Sequence, residues 1–189
     1  MQTVKTLEKR YGKERKMLRV PVTLSNGEDI KLLPGRQNIL VKKVLADFCS
    51  LYTPAGHVLY VSDTEEKWSY LDSEALTDLG LTIEEYGQMP DIVVHHLEKN
   101  WLFLIEAAGS HGPVSPKRRQ ELKEQFAGSK AGIIYVTAFL NRRTMVKHLD
   151  DIAWETVVWI AETPTHLIHF NGERLHGPYE RNDAQPHDA

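Results

Sequence analysis

Two acidic residues, Asp91 and Glu106, have the spacing of a metal-binding pair. Asp91 follows Pro90 at the start of an apolar segment, and Glu106 ends the apolar run 101–105. The polar residues 97–100 between these segments predict a hairpin. If the hairpin turns at residues 98 and 99, Asp91 lies directly opposite Glu106, with the two Cβ atoms about 4.5–5.5 Å apart.

Paired carboxylates of this kind favour a bound divalent metal ion. Two carboxylates this close repel each other, and each raises the pKa of the other, unless a cation lies between them. Their hard oxygen atoms, with room for water, favour Mg²⁺. The metal would polarise a phosphate oxygen and generate the attacking hydroxide, which is metal-assisted hydrolysis. The alternative is that Asp91 only begins a strand and that Glu106 is an edge charge.

The elements around the pair predict a mixed α/β domain. The run 101–107 is apolar on both faces, which is typical of a central strand covered on both sides. Ser115 can cap a helix that has Pro116 at its first position and reaches Gly128, and an apolar strand follows at 133–139. The order strand, helix, strand predicts a right-handed crossover and parallel pairing.

The rest of the chain predicts further elements and loose ends. Those elements are a hairpin over 18–33 turning at Asn26-Gly27, a helix over 37–51, a strand at 58–61, a helix at 73–79 ended by Gly80, a helix over 143–152, a strand at 157–161, and a hairpin whose arm 167–170 turns at Asn171-Gly172. We expect a basic N-terminal segment at 1–17, a catalytic domain at 18–180 and a flexible tail at 181–189.

Several stretches together resemble one nuclease family. A Pro-Asp pair followed some fifteen residues later by an acidic residue that ends an apolar strand resembles the PD-(D/E)XK nuclease signature, which is weak on its own. Longer stretches, in matching order and at matching intervals, are similar to the catalytic region of BsuBI/PstI-type type II restriction endonucleases. These stretches are residues 100–107, 110–119, 135–139, 152–156, 158–161 and 168–172.

The resemblance implies a restriction-endonuclease-like fold, a mixed central sheet flanked by helices. It also implies Mg²⁺-dependent cleavage of double-stranded DNA at the palindrome CTGCAG by a homodimer, with Asp91 and Glu106 holding the metal and no nucleotide cofactor. Full-length members usually carry an additional N-terminal domain that helps to bind DNA, so this chain resembles the catalytic region alone. Two alternatives stay open: a catalytically silent DNA-binding module of the same fold, and a structure-specific repair nuclease.

One position departs from the general signature, which has lysine two residues after the acidic residue to help the attacking water. Here that residue is Ala108. We expect another group to take the role, and Lys117 on the first turn of the following helix is the first candidate. Lys67 is the second candidate, and Asp63 is either an outer carboxylate or a turn former.

Four residues near the proposed site are candidates for DNA contacts. Ser110 and His111 lie in a glycine-containing loop that permits close approach to DNA, although a plain loop explains them equally well. Arg118 and Arg119 extend the basic start of the helix and suit phosphate contacts, or a solvated helix end. A zinc site is disfavoured, because the histidine pairs 95–96 and 166 with 169 face opposite sides of strands and one cysteine gives no thiolate set.

Composition fits a globular protein of 189 residues, 41% hydrophobic and 26% charged. The single Cys49 excludes an intrachain disulfide, suits a reducing compartment and is expected to be buried, as are Trp154 and Trp159. No membrane span or secretion signal is evident, so we expect a bacterial cytoplasmic protein. The net charge of -3 hides a basic start, with seven basic and two acidic residues in 1–20, and an acidic stretch, with ten acidic and two basic residues in 51–100.

Overall fold

The computed structural model describes residues 20–33, 35–62, 68–82, 89–109 and 112–171. Within these ranges the chain forms a two-stranded hairpin and a seven-stranded mixed sheet with helices on both faces. This architecture confirms the predicted α/β class. The predicted site residues Asp63, Lys67, Ser110 and His111 lie outside the described residues, as do both segments predicted as loose ends, 1–17 and 181–189.

Nine strands and five α-helices follow one another along the described chain. The strands are β1 (Val20–Thr23), β2 (Asp29–Leu32), β3 (His57–Val61), β4 (Tyr70–Leu71), β5 (Ile92–His96), β6 (Trp101–Ala107), β7 (Gly132–Phe139), β8 (Thr156–Ile160) and β9 (Leu167–Phe170). The helices are α1 (Arg36–Lys43), α2 (Cys49–Tyr52), α3 (Ser73–Asp78), α4 (Pro116–Gln125) and α5 (Arg142–Val146). A π-helical segment (Val44–Phe48) joins α1 to α2, and a 3₁₀ turn (Leu149–Asp151) follows α5. None of the described helices is long and apolar enough to cross a membrane.

The large sheet has the strand order β4-β3-β5-β6-β7-β8-β9, which puts β6 at its centre. β5 and β6 are antiparallel with Ile92 opposite Ile105, and this is the predicted hairpin register. β6, β7 and β8 are parallel to one another, as the strand, helix, strand order predicts. Continuing the β5–β6 register by one residue brings Asp91 level with Glu106, so the sheet itself sets the spacing of the two carboxylates.

The two faces of the sheet have separate apolar cores. The α1–α2 helix packs on one face, where Val41, Val44 and Phe48 are buried with Val94 and Ile105. Cys49 is buried in the same core, and burial raises the pKa of its thiol to about 12. Each face of β6 therefore meets an apolar layer, which explains why its sequence is apolar at nearly every position.

Helix α4 covers the other face and begins at the residues that the sequence indicates. Its Leu122 and Phe126 are buried with Leu102 and Leu104 of β6. The Ser115 side chain accepts a hydrogen bond from the Arg118 N–H, and Pro116 occupies the first turn. α4 thus returns the chain from the end of β6 to the start of β7 and fixes its own N-terminal turn beside Glu106.

Two expectations about the C-terminal part differ from the structure, and a third lies at the limit of the described residues. The helix expected over 143–152 is only α5 plus the 3₁₀ turn, because the chain must reach the start of β8 by Thr156. β9 pairs antiparallel with β8. The turn predicted after β9 at Asn171-Gly172 lies at the limit of the described residues and stays a prediction. Trp159 is buried as predicted, whereas Trp154 is 66% exposed and lies 6.1 Å from the Phe170 ring.

The turn at Gly80, after α3, lies very close to the turn at Gly128, after α4. This close approach predicts a large loss of stability for one substitution. A Cβ at Gly80 would lie 2.7 Å from the Gly128 carbonyl oxygen, and Gly80 also has φ +83°. We expect Gly80→Ala to lower the free energy of unfolding by more than the roughly 1–3 kcal/mol of left-handed strain alone. Urea denaturation measures this loss.

The control for Gly80→Ala is Gly27→Ala. Gly27 has φ +86° but nothing within 4 Å of an added Cβ, so this variant shows only the cost of the conformation. Equal losses for the two variants would mean that the turns do not approach as closely as described.

Candidate active site

Asp91 and Glu106 form a buried carboxylate pair at one end of the sheet. They are 8% and 7% exposed. Alternation along β5 and β6 places both on the face that α4 covers. One Asp91 oxygen, Oδ2, accepts a hydrogen bond of 2.8 Å from the N–H of Ala107, the residue after Glu106. The hairpin therefore brings together the two residues that the sequence predicts as metal ligands.

The other Asp91 oxygen is held by two side chains that the sequence analysis missed. Oδ1 accepts hydrogen bonds from Gln37 Nε2 at 2.8 Å and from Ser62 Oγ at 3.0 Å. Gln37 lies in the first turn of α1, and Ser62 directly follows β3. Asp91 is thus fixed by groups from a helix, a neighbouring strand end and its own hairpin partner, which defines the direction of its carboxylate.

A cation lies beside Glu106 in the structure, and it is an arginine. Arg118 Nε donates to Glu106 Oε1 at 2.8 Å. Burial, and then the charge of Asp91, raises the pKa of the Glu106 carboxyl group to about 7, and Arg118 opposes this shift. In the described part of the chain, the Arg118 guanidinium group therefore compensates the two close carboxylates only in part, and a further cation would stabilise both.

Arg118 is anchored at several points. Its NH2 group donates to the Met89 carbonyl oxygen at 3.1 Å, and its NH1 group lies 3.4 Å from Glu121 Oε2. The same residue donates its backbone N–H to the Ser115 cap. A guanidinium group held this way is pre-organised, because little side-chain entropy remains to be lost when substrate binds.

The neighbouring cations of α4 point elsewhere. The Lys117 side chain is 88% exposed, and its Nζ pairs with Glu121 Oε1 at 3.6 Å. Glu121 also pairs with Arg118, and among the described ion pairs Lys117 has none with Asp91 or Glu106. Arg119 pairs with Glu155 and lies over the Tyr135 ring at 5.3 Å. Arg118 therefore faces the carboxylate pair, whereas Arg119 ties α4 to the start of β8.

Ala108 shows why the signature lysine is absent at its usual position. Ala108 is buried in an apolar cluster with Phe139 and Ile152, and its N–H donates to the Ala138 carbonyl oxygen at 2.9 Å. A lysine here would have to extend its charged end past these apolar side chains to reach the carboxylates. The cation next to Glu106 comes instead from α4.

The donor set suits Mg²⁺ more than a metal that needs a closed protein cage. No group of three or more His, Cys, Asp or Glu side chains that could hold a metal ion occurs in the described ranges. Mg²⁺ commonly binds through one or two carboxylates and keeps several waters or substrate phosphate oxygens. Two fixed carboxylates at the end of the sheet fit that pattern.

Comparisons with known proteins give one consistent result. The sequence model of the BsuBI/PstI restriction endonuclease domain matches residues 20–173. The chain is similar to the type II restriction enzyme BsuBI of Bacillus subtilis, with 50% identity over 93% of this chain and 55% of that enzyme. It is also similar to the type II restriction enzyme AplI of Arthrospira platensis, with 31% identity over 89% of this chain and 54% of that enzyme.

A solved structure agrees with these matches. The SdaI restriction endonuclease superimposes with a TM-score of 0.82 at 41% sequence identity, over 93% of this chain and 55% of the SdaI chain. The likeness confirms the predicted fold class. This chain spans about half the length of each of these three relatives.

Proposed function

Since the chain belongs to the BsuBI/PstI restriction endonuclease family, we propose that it is the catalytic domain of a type II restriction endonuclease that hydrolyses phosphodiester bonds in double-stranded DNA. The observation that carries this proposal is the buried pair Asp91 and Glu106, fixed by four hydrogen bonds from other parts of the domain, one of them from the Arg118 guanidinium group that partly compensates their charge. A silent DNA-binding module would have no need of two close, buried acidic groups.

The proposed mechanism assigns a role to each of these groups. Mg²⁺ held by Asp91 and Glu106 would polarise a phosphate oxygen and lower the pKa of a bound water. Gln37, Ser62 and the Ala107 N–H hold the Asp91 carboxylate in one orientation. Arg118 would stabilise the negative charge that develops on the phosphate, as positioned donors do in phosphoryl transfer. A guanidinium group keeps its proton in proteins, so Arg118 supplies charge and does not accept the water proton.

The sequence specificity and the assembly are also part of the proposal. The family resemblance supports the palindrome CTGCAG as the recognition site. A palindrome has two-fold symmetry, and a homodimer with the same symmetry would place one carboxylate pair on each strand. Lys117 remains an alternative candidate for the catalytic cation, because Lys117 and Arg118 both pair with Glu121.

Digestion of a plasmid that contains CTGCAG tests the proposal. We expect discrete fragments whose ends map to CTGCAG when Mg²⁺ is present, and uncut plasmid when EDTA removes it. Binding to DNA without cleavage at any Mg²⁺ concentration would favour the silent DNA-binding module. Cleavage of branched or single-stranded DNA without sequence preference would favour the repair nuclease.

A further inference from the structure

The solvent face of α1 carries positive charge next to the candidate active site. Arg36, Ile39, Lys42 and Lys43 are exposed and form what we call the α1 surface, while Leu40 and Val41 of the same helix are buried in the core. Arg36, Ile39 and Lys43 have the i, i+3, i+7 spacing of one helix face. Residues 30–46 contain four basic residues and no acidic one, in a chain of net charge -3.

This surface begins at the metal-ligand pair. Gln37, the residue after Arg36, donates its hydrogen bond to Asp91. The chain that leaves Glu106 also passes close to Gln37, because a Cβ at Gly109 would lie 3.7 Å from the Gln37 Cβ. The first turn of α1 therefore adjoins the end of the sheet that a scissile phosphate at Asp91 and Glu106 would approach.

The charge and length of the α1 surface match a stretch of DNA backbone. The eight residues from Arg36 to Lys43 span about 10 Å of helix axis, and each strand of a DNA duplex presents a phosphate roughly every 3.4 Å along the duplex axis. Lys43 has an acidic partner, Asp47, at 3.9 Å, with both side chains nearly half exposed, and such a pair is weak and easily exchanged for a phosphate. Ile39 is 53% exposed among these cations, and deoxyribose would cover it.

We propose that the α1 surface lies along the backbone of the DNA strand being cut, with Arg36 and the two lysines contacting successive phosphates. This inference rests on the proposed function and names a DNA-binding surface beside its active site. The first turn of α1 would then contact the DNA backbone through Arg36 and orient the metal ligand Asp91 through Gln37.

Charge-removing variants test the phosphate contacts. We expect Arg36→Gln and Lys43→Gln each to weaken binding to duplexes of any sequence, and each lost phosphate contact to reduce the slope of log K against log salt by about 0.9. Lys99→Gln is the matched control, since Lys99 lies over Trp101 at the opposite end of β6 from Glu106. A slope unchanged in both α1 variants, or changed equally by Lys99→Gln, would overturn the proposal.

A cysteine-protection experiment maps the contact directly. The chain has one cysteine, Cys49, which is buried with a raised pKa, so an introduced exposed cysteine can be labelled selectively with a maleimide. Ile39→Cys reports on the α1 surface, and Leu97→Cys, at a site 58% exposed in the β5–β6 turn, is the control. With a CTGCAG duplex in EDTA, so that DNA is bound but not cut, we expect labelling of Ile39→Cys to slow strongly and that of Leu97→Cys to stay unchanged.

The outcomes separate this inference from the proposed function. If the unmodified protein cuts the duplex and binds it, but Ile39→Cys is labelled as fast with DNA as without, the α1 inference is wrong and the nuclease proposal stands. If the protein neither binds nor cuts DNA, both are wrong. Protection of Ile39→Cys that rises with protein concentration in the absence of DNA would assign α1 to contacts between copies of the chain and overturn the inference.

Discussion

The Asp91→Asn protein will bind duplex DNA and will cut it at least about 10³-fold more slowly than the unmodified protein. Asparagine has the shape of aspartate and can still accept the Ala107 N–H bond, but it removes one of the two charges that would hold Mg²⁺. Loss of metal ligation costs several kcal/mol of transition-state stabilisation, and each 1.4 kcal/mol is about a tenfold change in rate. Cleavage under single-turnover conditions at saturating Mg²⁺ measures the effect.

Two variants show that this loss comes from the metal site. Glu98→Gln removes a charge at the opposite end of the β5–β6 hairpin and is expected to cut at the normal rate. Gln37→Met removes one of the two side-chain donors to Asp91 Oδ1 and is expected to cost about 10–100-fold, the usual effect of losing a group that orients a metal ligand. An Asp91→Asn protein that cuts as fast as the unmodified one would refute the assignment of Asp91 as a metal ligand.

The placement of the carboxylate pair could be predicted because it depends on local pairing. A short polar turn fixes the register of an antiparallel hairpin, and the register fixes which side chains face each other. Ile92 pairs with Ile105 as the turn at residues 98 and 99 predicts, so Asp91 and Glu106 follow. The same argument explains the success of the parallel β6–β7 prediction, because a helix between two apolar strands leaves few alternatives.

The groups that hold Asp91 could not be predicted in this way. Gln37 and Ser62 are 54 and 29 residues away along the chain, and only the packing of α1 and β3 around the hairpin brings them together. The exposure of Trp154 could not be predicted from the sequence either. An apolar side chain in a connection has no periodic pattern to indicate its direction, and this one faces solvent.

The position of Arg118 beside the carboxylate pair could have been predicted from the sequence, because the period of the helix indicates which way its side chain points. Successive residues of a helix differ by about 100° in direction, so Lys117, Arg118 and Arg119 cannot all face the site. Leu122 and Phe126, at i+4 and i+8 from Arg118, are the buried residues of this part of the chain, and they mark Arg118 as the inward cation. The residue type, lysine, favoured Lys117, whereas the helical phase favours Arg118.

Replacing Arg118 by alanine will therefore have a much larger effect than replacing Lys117. We expect Arg118→Ala to lower the cleavage rate by about 10²–10³-fold, the usual cost of removing one positioned donor to a developing negative charge. It would also leave Glu106 without the ion pair that opposes the repulsion from Asp91. Lys117→Ala removes an exposed side chain and is expected to change the rate little. Single-turnover cleavage and DNA binding, measured separately, distinguish the catalytic effect from a loss of affinity.

Two further variants decide between charge, geometry and position. Arg118→Lys keeps the charge but cannot donate at once to Glu106, Met89 and Glu121, so we expect it to recover only part of the rate. Ala108→Lys restores the residue of the general signature, but the side chain would enter the apolar cluster of Phe139 and Ile152. We therefore expect it to lower the free energy of unfolding by several kcal/mol without rescuing Arg118→Ala. A Lys117→Ala protein that loses cleavage while Arg118→Ala keeps it would instead make Lys117 the catalytic cation.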